Sequence, residues 1–184
     1  TVLGNHCSKF IDSPYSRTGI LEGNPIHKDM VAASKMAHQK YIVNVIIDAD
    51  KKVVHAVAGD AIEAHAAGCK FLQDYCQVVP KKAADIAIST NGGYPLDQNM
   101  YQSVKGMTAA EAAAKDDGIL IMVSNCGDGH GGEGFYEALK NCSSPADLME
   151  EILKVPQDQT KPDQWEYQIQ CRILMQHKVI YVMC

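Results

Sequence analysis

A polar cluster follows a short apolar segment in the middle of the chain. The segment Ala84–Thr90 is typical of a strand, and a Gly-Gly-Tyr-Pro loop leads from it into a predicted helix that carries Tyr101, Gln102 and Lys105. Tyr101 and Lys105 stand at i and i+4 and therefore share one helix face. Lysine supplies a positive charge for an anion, whereas glutamine and tyrosine supply directional hydrogen bonds. The pattern indicates a site for a small hydroxy acid or a phosphate, although a solvated helix face fits it equally well.

A glycine-rich loop, Gly127–Gly132, is a second candidate. It satisfies G-x-G-x-x-G and lies between a predicted strand and a predicted helix, which is the setting of a dinucleotide-binding turn. The acidic residue expected ~20 residues further on, at the end of a second strand, is absent, because Glu150 and Glu151 fall in a helical pattern. A nicotinamide-dependent dehydrogenase is therefore the weaker interpretation. The alternative is a flexible turn, with an anion held at the helix N-terminus.

The seven histidines form no ligand pair on one helix face. We expect His65 to be partly buried with a satisfied ring, and His27, His38 and His177 to lie at the surface. His6 differs from these, because it lies in a segment without apolar periodicity where neither packing nor capping explains it. Imidazole is a common metal ligand, so a metal role is one interpretation of His6.

Trp165 is the only tryptophan of the chain. It follows a polar, proline-flanked segment at 155–162, which we predict to be a loop. A single tryptophan usually anchors a core or a hinge. The functional alternative is an aromatic wall over a planar cofactor or substrate.

The elements that must position these residues alternate between strands and helices. Tyr41–Ile47 and Lys52–Val57 flank an Asp-Ala-Asp-Lys turn, which predicts a hairpin. Gly118–Ser124 is almost continuously apolar, as is typical of a central strand covered on both faces. We therefore predict an α/β fold with a mostly parallel sheet flanked by helices and one antiparallel hairpin. The other predicted elements are an irregular arm at 1–24, a last strand at 179–182, helices that begin at Pro25 and at Gly59-Asp60, and helices at 98–115, 135–140, 145–154 and 163–176.

Composition places the chain among ordinary globular proteins. Hydrophobic residues make up 46% of its 184 residues and charged residues 21%, which excludes disorder for most of the chain. A net charge of −5 without a basic block argues against nucleic-acid and anionic-membrane partners. No apolar run approaches a membrane helix, and no signal-peptide pattern is present. Seven cysteines without a CxxC pair are typical of reduced thiols in a cytoplasmic protein.

The run from Asn91 to Gly106 resembles the most distinctive segment of the nickel-dependent lactate racemase family. It reads Asn-Gly-Gly-Tyr-Pro-Leu-Asp-Gln-Asn and continues with Tyr101-Gln102 and Lys105-Gly106. Shorter matches follow the family's order along nearly the whole chain, at Gly19–Pro25, Asp29-Met30, Asn44-Val45, Asp48–Lys52, Gly59-Asp60, Ala64-His65, Gly68-Cys69, Cys126, Gly129, Gly131 and Trp165.

The resemblance implies a two-domain enzyme whose active site lies in the cleft between the domains. Residues 1–24 would then be an interdomain arm, and residues 25–184 a C-terminal α/β domain truncated at both ends. The lack of an initiator Met and the apolar strand that ends the sequence also led us to expect a piece of a longer protein. The family's cofactor is a nickel-pincer nucleotide attached to a lysine of the first domain, and the resemblance implies His6 as a nickel ligand.

The resemblance also assigns roles to the polar cluster. Tyr101, Gln102, Lys105 and Trp165 match positions that line the substrate and cofactor pocket, and Lys105 and Gln102 would hold the substrate carboxylate during catalysis. The implied reaction is racemisation or epimerisation of a 2-hydroxy acid by hydride transfer to the cofactor. Its partners would be this small substrate and the missing N-terminal domain.

We expect the isolated chain to be inactive and to retain no nickel cofactor. The family's cofactor-tethering lysine and its acid/base histidines belong to the first domain, which this sequence does not contain. The alternative interpretation is a non-catalytic α/β module that binds a small anion or a phosphate.

Overall fold

Helices and strands alternate along residues 2–183, the part of the chain that the computed structural model describes. The helices are α1 (Val2–Asn5), α2 (Ser8–Asp12), α3 (Pro25–Met36), α4 (Ala61–Cys76), α5 (Met100–Ala113), α6 (Glu133–Asn141), α7 (Pro145–Leu153) and α8 (Gln164–Gln176). The strands are β1 (Ile42–Ile47), β2 (Val53–Gly59), β3 (Ala84–Thr90), β4 (Ala114–Ser124) and β5 (Lys178–Met183).

The described chain divides into two compact units, residues 2–18 with 80–183, and residues 19–79. In the first unit, β3, β4 and β5 form a parallel sheet in the order β3-β4-β5. In the second unit, β1 and β2 pair antiparallel around the predicted turn. The predicted α/β class, with a parallel sheet and one hairpin, is therefore confirmed. The expected boundary near residue 24 concerns a longer enzyme and stays a prediction.

The core of the first unit lies on one face of the parallel sheet. Leu120 and Met122 of β4 are fully buried against Met107 of α5 and Ile173 of α8. The opposite face of β4 is only partly covered, so the expectation that this central strand is buried on both faces is wrong for the described chain. The physical reason is that α5 and α8 pack on the same side of the sheet and join a single apolar cluster.

The start of β4 differs from the prediction of a helix at 98–115. Helix α5 ends at Ala113, and Ala114 already pairs with Ala84 of β3. The register then jumps from Ala114 to Ile119, so the intervening residues bulge out of the ladder. Asp117 in this bulge has a left-handed backbone, with φ of 61°. Sheet pairing here overrides the helix propensity of the alanine-rich run.

The described part of the predicted irregular arm contains more regular structure than expected. It contains α1 and α2, and Cys7, Ser8 and Ile11 are buried. The Gln168 side chain donates a hydrogen bond of 2.9 Å to the carbonyl oxygen of Ser8, which ties α2 to α8. His6 therefore lies on a packed segment of the first unit rather than on an irregular arm. The predicted loop at 155–162 likewise contains a 3₁₀ turn at Gln157–Gln159.

The thiols agree with the expectation of reduced cysteines. Six cysteines are free, two of them buried, and Cys184 lies outside the described residues. Across residues 2–183, no helix has both the length and the apolar character needed to cross a membrane.

A partly buried ion pair joins α5 to α8. The Arg172 guanidinium donates to the two oxygens of Glu111 at 3.0 and 2.8 Å, and both side chains are 13–14% exposed. Paired donation from one guanidinium to one carboxylate is among the stronger polar contacts. Burial and the Arg172 charge lower the pKa of Arg17, while Glu111 raises it. Glu111 therefore offsets two guanidinium groups rather than one.

Replacing Glu111 by alanine should destabilise this unit by about 2–4 kcal/mol, because the partly buried Arg172 loses its counter-charge and, among the described residues, Arg17 is left with Asp12 alone. The measurement is urea-induced unfolding of the wild-type and variant chains. Glu150→Ala is the matched control, since the Glu150–Lys154 pair on α7 is 2.9 Å long but about 70% exposed. That control should change the free energy of unfolding by less than about 0.5 kcal/mol. Equal losses of unfolding free energy in the two variants would show that Glu111 stabilises the chain no more than an exposed carboxylate does.

Candidate functional site

The loop before α5 is tied to the first turn of that helix. The Asn91 side-chain amide donates to the carbonyl oxygens of Leu96 at 2.6 Å and of Gln102 at 2.5 Å. Gly106 makes room for this arrangement, because a Cβ there would clash with Asn91 Oδ1 and lie 2.7 Å from the Met122 methyl group. The conformation of the loop and the placement of the Gln102 turn are therefore set together.

The backbone N–H groups at the start of α5 already have partners within the chain. The amides of Met100 and Tyr101 donate to the carbonyl oxygens of Gly129 and His130 at 3.0 and 3.1 Å. The amide of Gln102 donates to the Asn99 side chain at 3.0 Å, which caps the helix. A helix N-terminus normally offers such groups to anions. An anion beside α5 must therefore be bound by side chains.

The structure brings the sequence-predicted site residues together in one group, here named the Lys105 cluster: His6, Tyr101, Gln102, Lys105 and Trp165. The Lys105 ammonium donates to Gln102 Oε1 at 2.6 Å and lies 5.9 and 5.8 Å from the ring centres of Tyr101 and Trp165. The Tyr101 and Trp165 rings meet edge to face at 6.1 Å. His6 contacts the same indole, at 5.6 Å between ring centres.

The Lys105 cluster forms an open face of the first unit. Lys105 is exposed, and the other four side chains are partly exposed. An apolar hollow of about 450 Å³ lies elsewhere in this unit, lined by residues that include Cys126, Phe135 and Tyr136. A second hollow, of about 270 Å³, lies between α6 and α7. Lys105 lines neither of these two hollows.

Glu166 is a buried carboxyl group close to the Lys105 cluster that the sequence analysis missed. Its side chain is fully buried, and neither oxygen has a hydrogen-bond partner among the described residues. Burial raises the pKa of Glu166 to about 8, although the Lys105 charge acts in the opposite direction. The group is therefore mostly neutral at pH 7 and leaves the Lys105 charge available to a ligand. Glu166 directly follows Trp165 in the sequence, and this adjacency to a candidate site residue is the signal that could have identified it.

The Tyr101 phenol is held in its protonated form. Burial raises the pKa of Tyr101 to about 12, and the nearby Glu166 and Asp163 carboxyl groups add to that effect. A phenol of this kind can donate a hydrogen bond at every physiological pH. Burial also raises the pKa of Tyr181, whose hydroxyl lacks a hydrogen-bond partner in the described structure.

The glycine loop at 127–132 packs against the chain itself. A Cβ at Gly131 would lie 2.8 Å from the Asn99 side chain and 2.9 Å from Tyr101 Cβ. A Cβ at Gly132 would lie 2.8 Å from Asp163 Oδ2. These close approaches explain two of the loop glycines without a dinucleotide.

His27, His38 and His65 belong to the second unit, and His177 belongs to the first. The ring nitrogens of His65 lie 3.6 and 3.8 Å from the Cys69 sulfur, and the ring stacks on His27, in agreement with the expected satisfied histidine. His38 is exposed, as predicted. The surface prediction for His177 is wrong, because this residue is buried where α8 passes into β5. Within residues 2–183, no three His, Cys, Asp or Glu side chains converge as a group that could hold a metal ion.

Comparison with known proteins identifies the family to which the parallel α/β unit and its Lys105 cluster belong. The family described as the lactate racemase C-terminal domain matches residues 79–184, which is more than half of the chain. The chain belongs to the lactate racemase family, and the resemblance noted in the sequence is confirmed.

The relatives cover the whole chain but are much longer. The chain is 56% identical over 181 residues to a lactate racemase of Thermoanaerobacterium thermosaccharolyticum, covering 98% of this chain and 42% of that protein. It is 52% identical over 182 residues to a lactate racemase of Lactiplantibacillus plantarum, covering 99% and 43%. The solved structure of the lactate racemase apoprotein from Thermoanaerobacterium thermosaccharolyticum matches with a TM-score of 0.96 at 56% identity, over 99% of this chain and 43% of that one. The chain thus spans less than half the length of these relatives.

Replacing Glu166 by glutamine should change how the stability of the chain depends on pH. Because burial raises the pKa of Glu166 from 4.5 to about 8, the folded chain keeps a proton that the unfolded chain releases in that interval. This contribution to stability is complete below the lower value and is lost as the pH rises to the upper one, by at most about 1.4 kcal/mol per pH unit. Urea unfolding should therefore show a steeper loss with pH for the wild type than for E166Q.

Glu133→Gln is the control for this experiment. It removes the same charge from an exposed position in the first turn of α6 and should keep the wild-type pH dependence. Parallel pH profiles for the wild type and E166Q would mean that Glu166 has an ordinary pKa in the folded chain.

Proposed function

We propose that this chain supplies the anion-binding and metal-ligating part of an enzyme that racemises or epimerises a 2-hydroxy acid. The observation that carries the proposal is the Lys105 cluster, in a chain more than 50% identical to proteins named lactate racemase. The remainder of the enzyme, including an N-terminal domain, would complete the site. This view also accounts for the open face, since a second domain would exclude water from a ligand at Lys105.

The residues of the cluster fit a nickel-pincer nucleotide. His6 is partly exposed against the Trp165 ring, so its imidazole is placed where it can meet a ligand at the open face. A single histidine suits a cofactor that brings its other donor atoms with it. The Tyr101 and Trp165 rings offer apolar surfaces to a planar group, and Lys105 offers charge to an anionic one. When bound, this cofactor would supply the hydride acceptor for the hydrogen on carbon 2 of the substrate.

Lys105 and Gln102 would bind the substrate carboxylate. The Lys105 ammonium uses one N–H on Gln102 Oε1 and has two further N–H donors. The same contact orients the Gln102 amide, whose Nε2 is a donor for a carboxylate oxygen. Two adjacent donors of this kind fix both the position and the rotation of a small hydroxy acid.

Racemisation requires that the oxidised substrate stays bound. Loss of the carbon-2 hydride with its electron pair, and of the hydroxyl proton to a base, converts the 2-hydroxy acid into a planar 2-keto acid. The hydride and the proton then return, and return to the opposite face inverts the centre. Lys105 and Gln102 would hold the keto acid between these events. The base would come from the rest of the enzyme, and the Tyr101 phenol would remain a hydrogen-bond donor throughout.

Lys105→Ala in the complete, cofactor-loaded enzyme should lower kcat/KM for lactate by about 10²–10³-fold, roughly 3–4 kcal/mol of lost transition-state binding. Racemisation is followed by chiral separation of the two lactate enantiomers. The matched control is Lys140→Ala on α6, because Lys140 also lies over a tyrosine ring, 5.0 Å from the centre of Tyr136. That variant should keep wild-type kcat/KM.

Near-normal turnover by K105A would show that the carboxylate is bound elsewhere. A complete wild-type enzyme that binds lactate at Lys105 but racemises none of it would favour the non-catalytic, anion-binding module.

A further inference from the structure

Asp163, just before α8, combines a strained backbone with a side chain that does not serve the helix. It stands at the N-cap position with φ of 64° and ψ of −4°, in the left-handed region. Residues other than glycine rarely adopt this backbone region, and they keep it only where the surrounding structure holds them there. An aspartate at an N-cap usually accepts a hydrogen bond from the helix, yet the Asp163 carboxylate makes none.

The Asp163 carboxylate points instead to the glycine loop and to Tyr101. A Cβ at Gly132 would lie 2.8 Å from Asp163 Oδ2 and 3.4 Å from Tyr101 Cδ2, so both side chains converge on this glycine. A Cβ at Gly134 would lie 3.4 Å from the same carboxylate oxygen. Gly132, the last glycine of the candidate nucleotide turn, thus provides the space in which Asp163 and Tyr101 approach each other.

Tyr101 lies next to the glycine loop and to Trp165. Burial is the largest cause of the raised pKa of Tyr101, and the nearby Glu166 and Asp163 carboxyl groups raise it further. The two aromatic rings also meet edge to face at 6.1 Å, and both lie within 6 Å of the Lys105 ammonium. Asp163 and Tyr101 therefore both lie against Gly132, and the Tyr101 ring contacts the indole.

We propose that Asp163 is a positioning residue of the Lys105 cluster. Its carboxylate, held over Gly132 by the left-handed backbone, fixes the Tyr101 phenol and, through it, the Trp165 ring beside Lys105. Asp163 itself touches neither substrate nor cofactor. This role extends the proposed function. It depends on the proposed function only in the experiment that measures racemisation.

The first test uses Trp165 fluorescence, because it is the only tryptophan of the 184-residue chain. Asp163→Gly keeps a backbone that tolerates the left-handed region and removes the carboxylate. It should raise the accessibility of Trp165 to acrylamide quenching and shift its emission to the red, at an unfolding temperature no lower than that of the wild type. Asp163→Asn keeps an acceptor and tolerates the same backbone, so it should stay close to the wild type.

Two further variants separate this role from backbone effects. Asp117→Gly is the matched control, because Asp117 is exposed and also left-handed, with φ of 61°, in the β4 bulge. Gly132→Ala reaches the same contact from the opposite side, since Gly132 has φ of −64° and the added Cβ would crowd Asp163 Oδ2 and lie against Tyr101 Cδ2. D117G should leave Trp165 quenching unchanged, whereas G132A should reproduce the effect of D163G.

The second test measures racemisation of lactate by the complete, cofactor-loaded enzyme. D163G and G132A should lower kcat/KM by about 10–100-fold, mainly through kcat, and D163N should recover most of the activity. Wild-type quenching in both D163G and G132A would overturn the positioning role, as would D163G kinetics equal to those of D117G. If the wild-type enzyme racemises nothing, the proposed function fails, and the quenching experiment alone decides the role of Asp163.

Discussion

The availability of a positive charge at the start of α5 depends on Lys105, because the backbone donors at that place are already occupied. The first amides of the helix donate to the glycine loop and to Asn99, so the helix terminus offers them to no anion. The Glu166 carboxyl group close by is kept mostly neutral by burial, so it competes only weakly for the ammonium. A buried ionised carboxylate at that position would have neutralised the group that the site needs. The chemistry of the cluster therefore depends as much on what is kept away from Lys105 as on what contacts it.

The scaffold around Lys105 is built by close backbone approach rather than by large apolar contacts. Asn91 ties the preceding loop to the Gln102 turn, and Gly106 leaves the space for that side chain. On the other side, Gly131 and Gly132 let a second loop approach Tyr101 and Asp163. Each of these positions controls where a side chain of the Lys105 cluster or its surroundings lies. The glycine loop thus serves the geometry of α5, although its spacing suggested a nucleotide turn.

Much of the fold and the membership of the Lys105 cluster could be predicted from the sequence, because each left a local signal. The i, i+4 spacing of Tyr101 and Lys105 and the family resemblance pointed to the helix on which the Lys105 cluster lies, and alternating patterns gave the α/β class. What could not be predicted depends on long-range packing. The burial of Glu166 follows from how α8 packs, and the left-handed backbone of Asp163 follows from neighbours far away in sequence. The short helices of the first segment have too few residues to show a period, and the β4 bulge arises from pairing with β3.

One face of the parallel sheet is only partly covered, and this affects how the chain should behave in solution. Ile86 and Ile88 on β3 and Ile180 and Val182 on β5 are 40–69% exposed on strands that form the two edges of the sheet. Parallel sheets are normally covered on both sides, and uncovered edges are templates for unwanted strand addition. We therefore expect the 184-residue chain to self-associate as its concentration rises. Charged substitutions at these outward-facing positions give a route to a well-behaved sample that leaves the residues around Lys105 untouched.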